Sequence, residues 1–289
     1  MKDKILVSIA SYKDTDVIKT IIDLYDKSEY PDRVWVGLFL QDTDDEIIRI
    51  CKFFAEFKFK SNLKIKTISY IDSRGCGWAR NIILKELYED EDYFMCVDSH
   101  SRFLEKWDSE YITLYKESPP NSVISAFPQA FEFDQTYEQY SKRNKTTIYT
   151  PNALPWTSDF IQPHCQKTTR EKYEKVTSIS GGNLFGDSRL AKAITLDDYI
   201  FIHNKEQEIY SLLIYLYGLD IYAIPQNIVW HKYIVNTSYR DIFAPNKIKY
   251  EVDFLSFLKS KEKNRTVNEW VSLIQRDCDD CKKTKELNS

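Results

Sequence analysis

Tyr93-Phe94-Met95-Cys96-Val97-Asp98-Ser99-His100 is the stretch on which the reading of this chain turns. Its apolar run reads as a buried strand, and the strand stops at a carboxylate that is followed, two residues on, by an imidazole. In an extended or tightly turned chain, positions i and i+2 can face the same side, so one divalent ion can touch both. A carboxylate with an imidazole suits manganese better than calcium, which prefers an all-oxygen shell. The plainer alternative is a surface Asp and a capping His at a strand end.

Upstream, the pattern that leads into this strand is regular. Ile5 to Ile9 is a short β-branched run passing into the small residues Ser8, Ala10 and Ser11, as a parallel strand entering a loop would. Asp16 is placed to cap a helix whose apolar positions Val17, Ile18, Ile21, Ile22 and Leu24 share one stripe, with Tyr30-Pro31 ending it. Val34 to Leu40 predicts a second strand. Asp44 and Asp45 open a helix through Ile47, Ile48, Cys51 and Phe54, and Leu63 to Ile71 predicts a third strand. Turn residues Ser73, Arg74, Gly75 and Gly77 precede helical spacing from Trp78 to Tyr88. Alternating strands and helices define an α/β protein with a mostly parallel open sheet and helices on both faces. Ligands of such sheets bind at the carboxyl ends of the strands, where Ser8 to Asp14, Ser73 to Arg80 and Asp98 to Arg102 all fall.

Downstream the signal weakens. Asn121 to Tyr173 contains several prolines and no sustained period, and reads as irregular surface structure. Val176 to Phe185 predicts a strand interrupted by Gly181-Gly182, and Lys205 to Tyr217 a helix ended by Gly218. Ile221 to Ile224 and Asn227 to Tyr233 are extended. Tyr250 to Leu258 and Val267 to Ile274 have amphipathic helical spacing, and the charged segment from Asp277 onward reads as a disordered tail. The organisation expected is a catalytic domain over residues 1–245, a helical appendage over 246–276 and a tail over 277–289.

Composition narrows the function. A net charge of −4 supplies no basic stripe for nucleic acid. No segment approaches the roughly 18 uninterrupted apolar residues needed to span a bilayer, and the N-terminal apolar run is too short for a signal peptide, so the expected location is cytoplasmic. Six scattered cysteines in a chain of 289 residues favour reduced thiols over a disulfide framework. The Cys278–Cys281 pair lacks a second pair at zinc-site spacing. With 20 Tyr and 16 Phe against 7 Gly, the chain is rich in aromatics, which often line sugar-binding clefts but can equally reflect genomic bias. No G-x-G-x-x-G follows the first strand, which argues against a dinucleotide-binding dehydrogenase.

Two more residues stand out. His231, after the apolar stretch from Asn227 to Trp230, could supply a third metal ligand or be a half-buried core histidine. Glu206, near a helix start, could meet a sugar hydroxyl or an acceptor, or be a solvated acid favoured by the helix dipole.

The motifs S-I-A-S-Y-K-D at 8–14, R-G-C-G-W-A-R at 74–80, D-S-H-S-R-F at 98–103 with Trp107-Asp108, S-G-G at 180–182, K-E-Q-E at 205–208 with Gly218-Leu219-Asp220, and Trp230-His231-Lys232-Tyr233 occur in an ordered series. Over residues 5 to 235 this series resembles the cytoplasmic hydroxyproline-polypeptide N-acetylglucosaminyltransferases, and more distantly the polypeptide N-acetylgalactosaminyltransferases. The resemblance implies a GT-A fold, a UDP-sugar donor, Mn²⁺ with Mg²⁺ as the alternative, and retention at the anomeric carbon. Asp98 and His100 match the family's metal and donor motif, with Ser99 between them, and His231 its late metal-binding histidine. Ser8, Ala10, Tyr12 and Asp14 match the loop lying against uridine. Arg74 and Arg80 match basic positions near the nucleotide, and Gly181 and Gly182 the small residues lining the sugar pocket. Glu206 aligns with the first acid of the family's G-E-E pattern, whereas Lys205, Gln207 and Leu212-Leu213 depart from that helix.

In this reading Asp98, His100 and His231 hold the ion, and Asp98 and Glu206 are the catalytic acids, Glu206 positioning sugar or acceptor. The loop from Tyr149 to His164 is the candidate acceptor platform. Within it Trp156 could stack on a sugar or peptide, or plug the core, and Gln207 is a second acceptor-side residue. The acceptor is expected to be a protein hydroxyl. The alternatives are a saccharide acceptor in surface-polysaccharide assembly, or a non-catalytic nucleotide-sugar-binding protein. Oligomeric state is not encoded in these patterns.

Overall fold

The computed structural model describes residues 3–132, 135–142, 146–150, 165–169, 173–196, 206–233 and 254–276. Its strands are β1 (Ile5–Tyr12), β2 (Val34–Asp42), β3 (Leu63–Ser69), β4 (Tyr93–Asp98), β5 (Ser101–Phe103), β6 (Ser122–Ser125), β7 (Gln129–Ala130), β8 (Thr146–Thr150), β9 (Cys165–Thr169), β10 (Glu174–Val176), β11 (Asn183–Asp187), β12 (Asp220–Ala223) and β13 (Val229–His231). Its helices are α1 (Val17–Asp26), α2 (Asp44–Ala55), α3 (Cys76–Glu86), α4 (Trp107–Glu117), α5 (Tyr137–Tyr140), α6 (Ser188–Ile194), α7 (Glu206–Leu216), α8 (Phe254–Ser260) and α9 over 267–276.

Eight strands form one sheet in the order β10-β12-β6-β11-β4-β1-β2-β3. The run β4-β1-β2-β3 is parallel throughout, β12 is parallel to β6, and β11 runs antiparallel to both β4 and β6. Period-two alternation divides the core between the two faces. In β4, Phe94 and Cys96 pack with α3, α6 and α7, while Tyr93, Met95 and Val97 pack with α1, α2 and α4. Such near-continuous apolar strands are what helices on both faces require.

Local signals behave unevenly. Thr43 Oγ1 caps α2 by accepting from Glu46 N at 3.4 Å, with Asp44, Asp45 and Glu46 in the first turn, where acids suit the helix dipole. Asp16 occupies the N-cap of α1 but makes no side-chain cap there. Both its oxygens instead take the guanidinium of Arg102, at 3.0 and 3.1 Å, because a bidentate ion pair outcompetes one neutral cap bond. Asp108, wholly buried at the start of α4, accepts from Glu29 N, Tyr30 N and Arg33, which ties the α1–β2 connection to α4.

The stretch expected to be irregular contributes an interior strand of the large sheet. β6 is only four residues long, too short to display a period, and Pro119-Pro120 and Pro128 bracket it. The single strand expected from Val176 to Phe185 is two, β10 and β11, separated by the glycine turn. α8 and α9 lie against the main core, where Leu258, Val267, Trp270 and Ile274 join Tyr210 and Leu213 of α7. Arg265, between those helices, bonds Leu219 O and Asp220 Oδ1. No helix among the described residues is long and apolar enough to cross a membrane.

Candidate active site

The site lies at the carboxyl ends of β1 and β4, where Ala10 stands opposite Asp98 across the parallel ladder. A second sheet, β5-β13-β7, lies beside it. β13 pairs antiparallel with β5, so His231 is registered on Ser101, and Lys232 N donates to His100 O at 3.1 Å. That register delivers His231 to the end of β4. Its Nε2 stands 3.1 Å from Asp98 Oδ2, and the His100 and His231 rings are 4.6 Å apart at their centroids.

The turn from Asp98 to Ser101 is fastened from below. Thr20 of α1 donates from Oγ1 to Ser99 O at 2.7 Å and accepts from Ser101 N at 3.0 Å. Ser101 Oγ donates to Asp98 O. Just beyond the end of β1, Asp14 turns inward: its Oδ2 accepts from Ser99 Oγ at 2.6 Å and lies 2.7 Å from His100 Nδ1, and its Oδ1 accepts from Asp16 N.

The opposite wall is a buried ion triad. Arg80 of α3, 1% exposed, donates from Nη2 to Asp98 Oδ1 at 2.8 Å and from Nη1 to Glu206 Oε1 at 2.6 Å. Gly181 and Gly182 pass over this group. A Cβ on Gly182 would sit 2.3 Å from Asp98 Oδ2, and one on Gly181 2.7 Å from Arg80 Nη1, so the chain can approach this closely only without side chains. Gln207 also reaches Gly181, with its Cγ 3.5 Å from where that Cβ would be.

Electrostatics follow the contacts. Burial works to raise the pKa of Asp98, but the His231 hydrogen bond and the charges of His231, Arg80 and His100 outweigh it and hold the carboxyl well below its usual range. Burial likewise opposes ionisation of Asp14, and hydrogen bonds from His100 and Ser99 overcome it. Burial would depress His100; its bond to Asp14 and the charges of Asp98, Asp14 and Asp16 raise it instead.

The expected site residues therefore separate into groups. Asp98, Ser99, His100, His231, Arg80, Gly181, Gly182, Glu206 and Gln207 converge. Ala10, Tyr12 and Asp14 lie at the end of β1, whereas Ser8 is fully buried within the sheet, registered on Cys96. Arg74 stands before α3 with its guanidinium over the Trp78 ring at 5.6 Å. Trp156 and Lys205 lie outside the described residues. The sequence reading missed Thr20, whose position mid-helix carries no signal, and Cys76, whose thiol hydrogen-bonds Glu206 and is pushed up by burial.

Whether a divalent ion suits this place is a question of donor chemistry and spacing. Ligand atoms bound at about 2.1 Å and roughly a right angle apart lie about 3 Å from each other. The Asp98–His231 pair has that spacing, and its carboxylate and imidazole are donors that manganese accepts. Among the described residues no group of three or more His, Cys, Asp or Glu side chains is already gathered in a metal-holding arrangement. Asp98 and His231 bond each other directly, with His100 alongside.

This architecture defines a GT-A glycosyltransferase fold. S. aureus TarS residues 1–349 in complex with UDP-GlcNAc superposes with a TM-score of 0.52 at 14% identity, over 81% of this chain and 59% of that one. GalNAc-T7 with UDP, GalNAc and Mn²⁺ gives 0.58 at 11% identity, over 80% and 44%. The chain thus spans less than two thirds of either relative, and at such identities the likeness is one of fold. No curated protein matches in sequence. The family model described as Glycosyltransferase (GlcNAc) matches residues 4–54 and 44–281, and the chain belongs to that family.

Proposed function

We propose that this chain is a metal-dependent, retaining glycosyltransferase that moves N-acetylglucosamine from a UDP donor to a hydroxyl group on a protein in the cytoplasm. The observation that carries the reading is the meeting of Asp98, His100 and His231 at the carboxyl end of β4, in a member of the GlcNAc glycosyltransferase family. The Mn²⁺ and UDP bound in GalNAc-T7 support the choice of ion and donor, and the ordered motif resemblance supports retention and a protein acceptor. In this reading Asp98, His100 and His231 hold the ion, which when bound supplies Lewis-acid stabilisation of the leaving diphosphate.

The chain's own residues do the rest. Arg80 holds Asp98 in one orientation and keeps it ionised. The glycine pair lets the backbone close directly over Asp98 and Arg80 as a wall without side chains. Glu206, held by Arg80, presents its remaining carboxylate capacity toward sugar or acceptor, so it positions and does not act as an obligate base. Ala10 and Tyr12 form the loop against uridine.

The test is hydrolysis of a panel of UDP-sugars by the purified chain with Mn²⁺. UDP-GlcNAc is expected to be cleaved fastest, with EDTA abolishing turnover and NMR showing the α-anomer as first product. Hydrolysis that survives EDTA, or a β-anomeric first product, would defeat the metal or the retention respectively. Hydroxyproline peptides set against saccharide acceptors decide the acceptor class.

A further inference from the structure

We infer that Asp14 is a positioning residue for His100: its carboxylate fixes the imidazole ring and places the proton on Nδ1, leaving the Nε2 lone pair free to bind. The inference about the residue stands on hydrogen-bond geometry alone, and its use for holding an ion rests on the function proposed above.

Sequence resemblance puts Asp14 against the nucleotide, but the hydrogen bonds on this carboxylate run to Asp16, Ser99 and His100. Oδ1 accepts from Asp16 N at 2.9 Å. Oδ2 accepts from Ser99 Oγ at 2.6 Å and stands 2.7 Å from His100 Nδ1. An ionised carboxylate only accepts, so the imidazole nitrogen facing it must carry hydrogen, and in the neutral ring the lone pair then belongs to Nε2.

The surroundings show why a dedicated residue is needed. Thr20 and Ser101 clamp the backbone of the Asp98–Ser101 turn, and Lys232 N holds His100 O; these bonds fix main-chain atoms and leave the His100 ring to be set by another group. Among the described residues Asp14 and, more weakly, Ser99 Oγ at 3.5 Å reach Nδ1. His231 is the contrasting case: its Nε2 faces Asp98, and its buried Nδ1 has no hydrogen-bond partner among the described residues. Two imidazoles thus meet at one place, one oriented by a carboxylate behind it and the other by strand register. A histidine that binds a metal through one nitrogen usually donates from the other to such a partner, and removal of the partner weakens binding by about 10–100-fold.

Two measurements on the purified full chain test this. Long-range ¹⁵N–¹H NMR of the metal-free protein, at a pH where the His100 ring is neutral, should show the Nδ1–H form in the parent chain and lose it in Asp14→Ala. A parent ring in the Nε2–H form, or one unchanged by Asp14→Ala, overturns the inference whether or not the chain binds metal. Electron paramagnetic resonance titration of Mn²⁺ should then show about 10–100-fold weaker binding in Asp14→Ala. Asp14→Asn, which keeps one acceptor oxygen for Nδ1–H, should recover at least part of that loss with the same circular dichroism spectrum. Equal Mn²⁺ affinity in parent and Asp14→Ala rejects the role toward the ion. A parent chain that takes up no Mn²⁺ rejects the metal reading instead, and the NMR result still decides the role of Asp14.

Discussion

The two walls of the site are built in different ways, and Asp98 stands between them. On one side, β1, β4, β5 and β13 deliver Asp14, His100 and His231 through strand register, with Thr20 clamping the turn beneath. On the other, one buried guanidinium joins Asp98 to Glu206, covered by a glycine turn with no side chain to spare. A wall made of many modest bonds should fail by degrees, while a wall hung on one charge should fail at once.

Substitutions that strike the single-charge wall should therefore be the most damaging. Arg80→Met removes the one cation that Asp98 and Glu206 share, leaving Asp98 with the histidines alone, and loss of one member of such a buried group costs about 3–5 kcal/mol. Urea denaturation should show a drop of that order; a loss below about 1 kcal/mol would mean that the triad is not what holds this wall. Gly182→Ala comes next. Its Cβ would collide with the carboxylate of Asp98, a neighbour that is itself pinned by Arg80, so about 1–3 kcal/mol of strain is expected together with impaired donor hydrolysis. Unchanged hydrolysis in a folded Gly182→Ala protein would show that the turn can retreat.

The register-built wall predicts a milder response. Thr20→Val removes one donor and one acceptor under the Asp98–Ser101 turn, worth about 1–3 kcal/mol by denaturation because Ser101 N is left unpaired in a buried place. The strands should persist, and the Arg80 triad should be untouched. The smallest effect lies behind α7, where Asp220 takes Arg265 at 2.7 Å and Lys175 at 2.8 Å. Burial opposes the charge on Asp220, but these two cations hold its pKa below the usual carboxylate value. A depressed folded pKa means stabilisation that is complete above that value and lost as the pH falls below it toward the folded pKa. Being partly exposed, the pair should contribute no more than about 1 kcal/mol. Melting of the parent and Asp220→Asn should accordingly differ near neutral pH and converge in acid; a constant difference would remove the ion pair from the account.

The same contrast decides how much could be read in the sequence. β1, β2 and β4 were legible because buried parallel strands are nearly continuous in apolar residues and end in small or acidic residues at the ligand edge, and the edge strand β3 because Leu63, Ile65 and Thr67 alternate with Lys64 and Lys66. β6 was not, since four residues between prolines show no period. Asp16 has the composition of a helix cap, yet Arg102, distant in sequence, claims its carboxylate. Asp98 and His100 stood out as a local pair, whereas His231 reaches them only through the β5–β13 register, which no short-range pattern records. The direction of Asp14 was equally hidden: an acid at a strand end reads the same whether it faces a nucleotide or a neighbouring imidazole.

Asp98 belongs to both walls, so its removal addresses the central claim most directly. Metal-dependent hydrolysis of UDP-GlcNAc should be measured for the parent chain and for Asp98→Ala, with circular dichroism to confirm that the variant is folded. The account predicts Mn²⁺-dependent turnover in the parent and none above background in the variant. Turnover retained in full by a folded Asp98→Ala protein would contradict it.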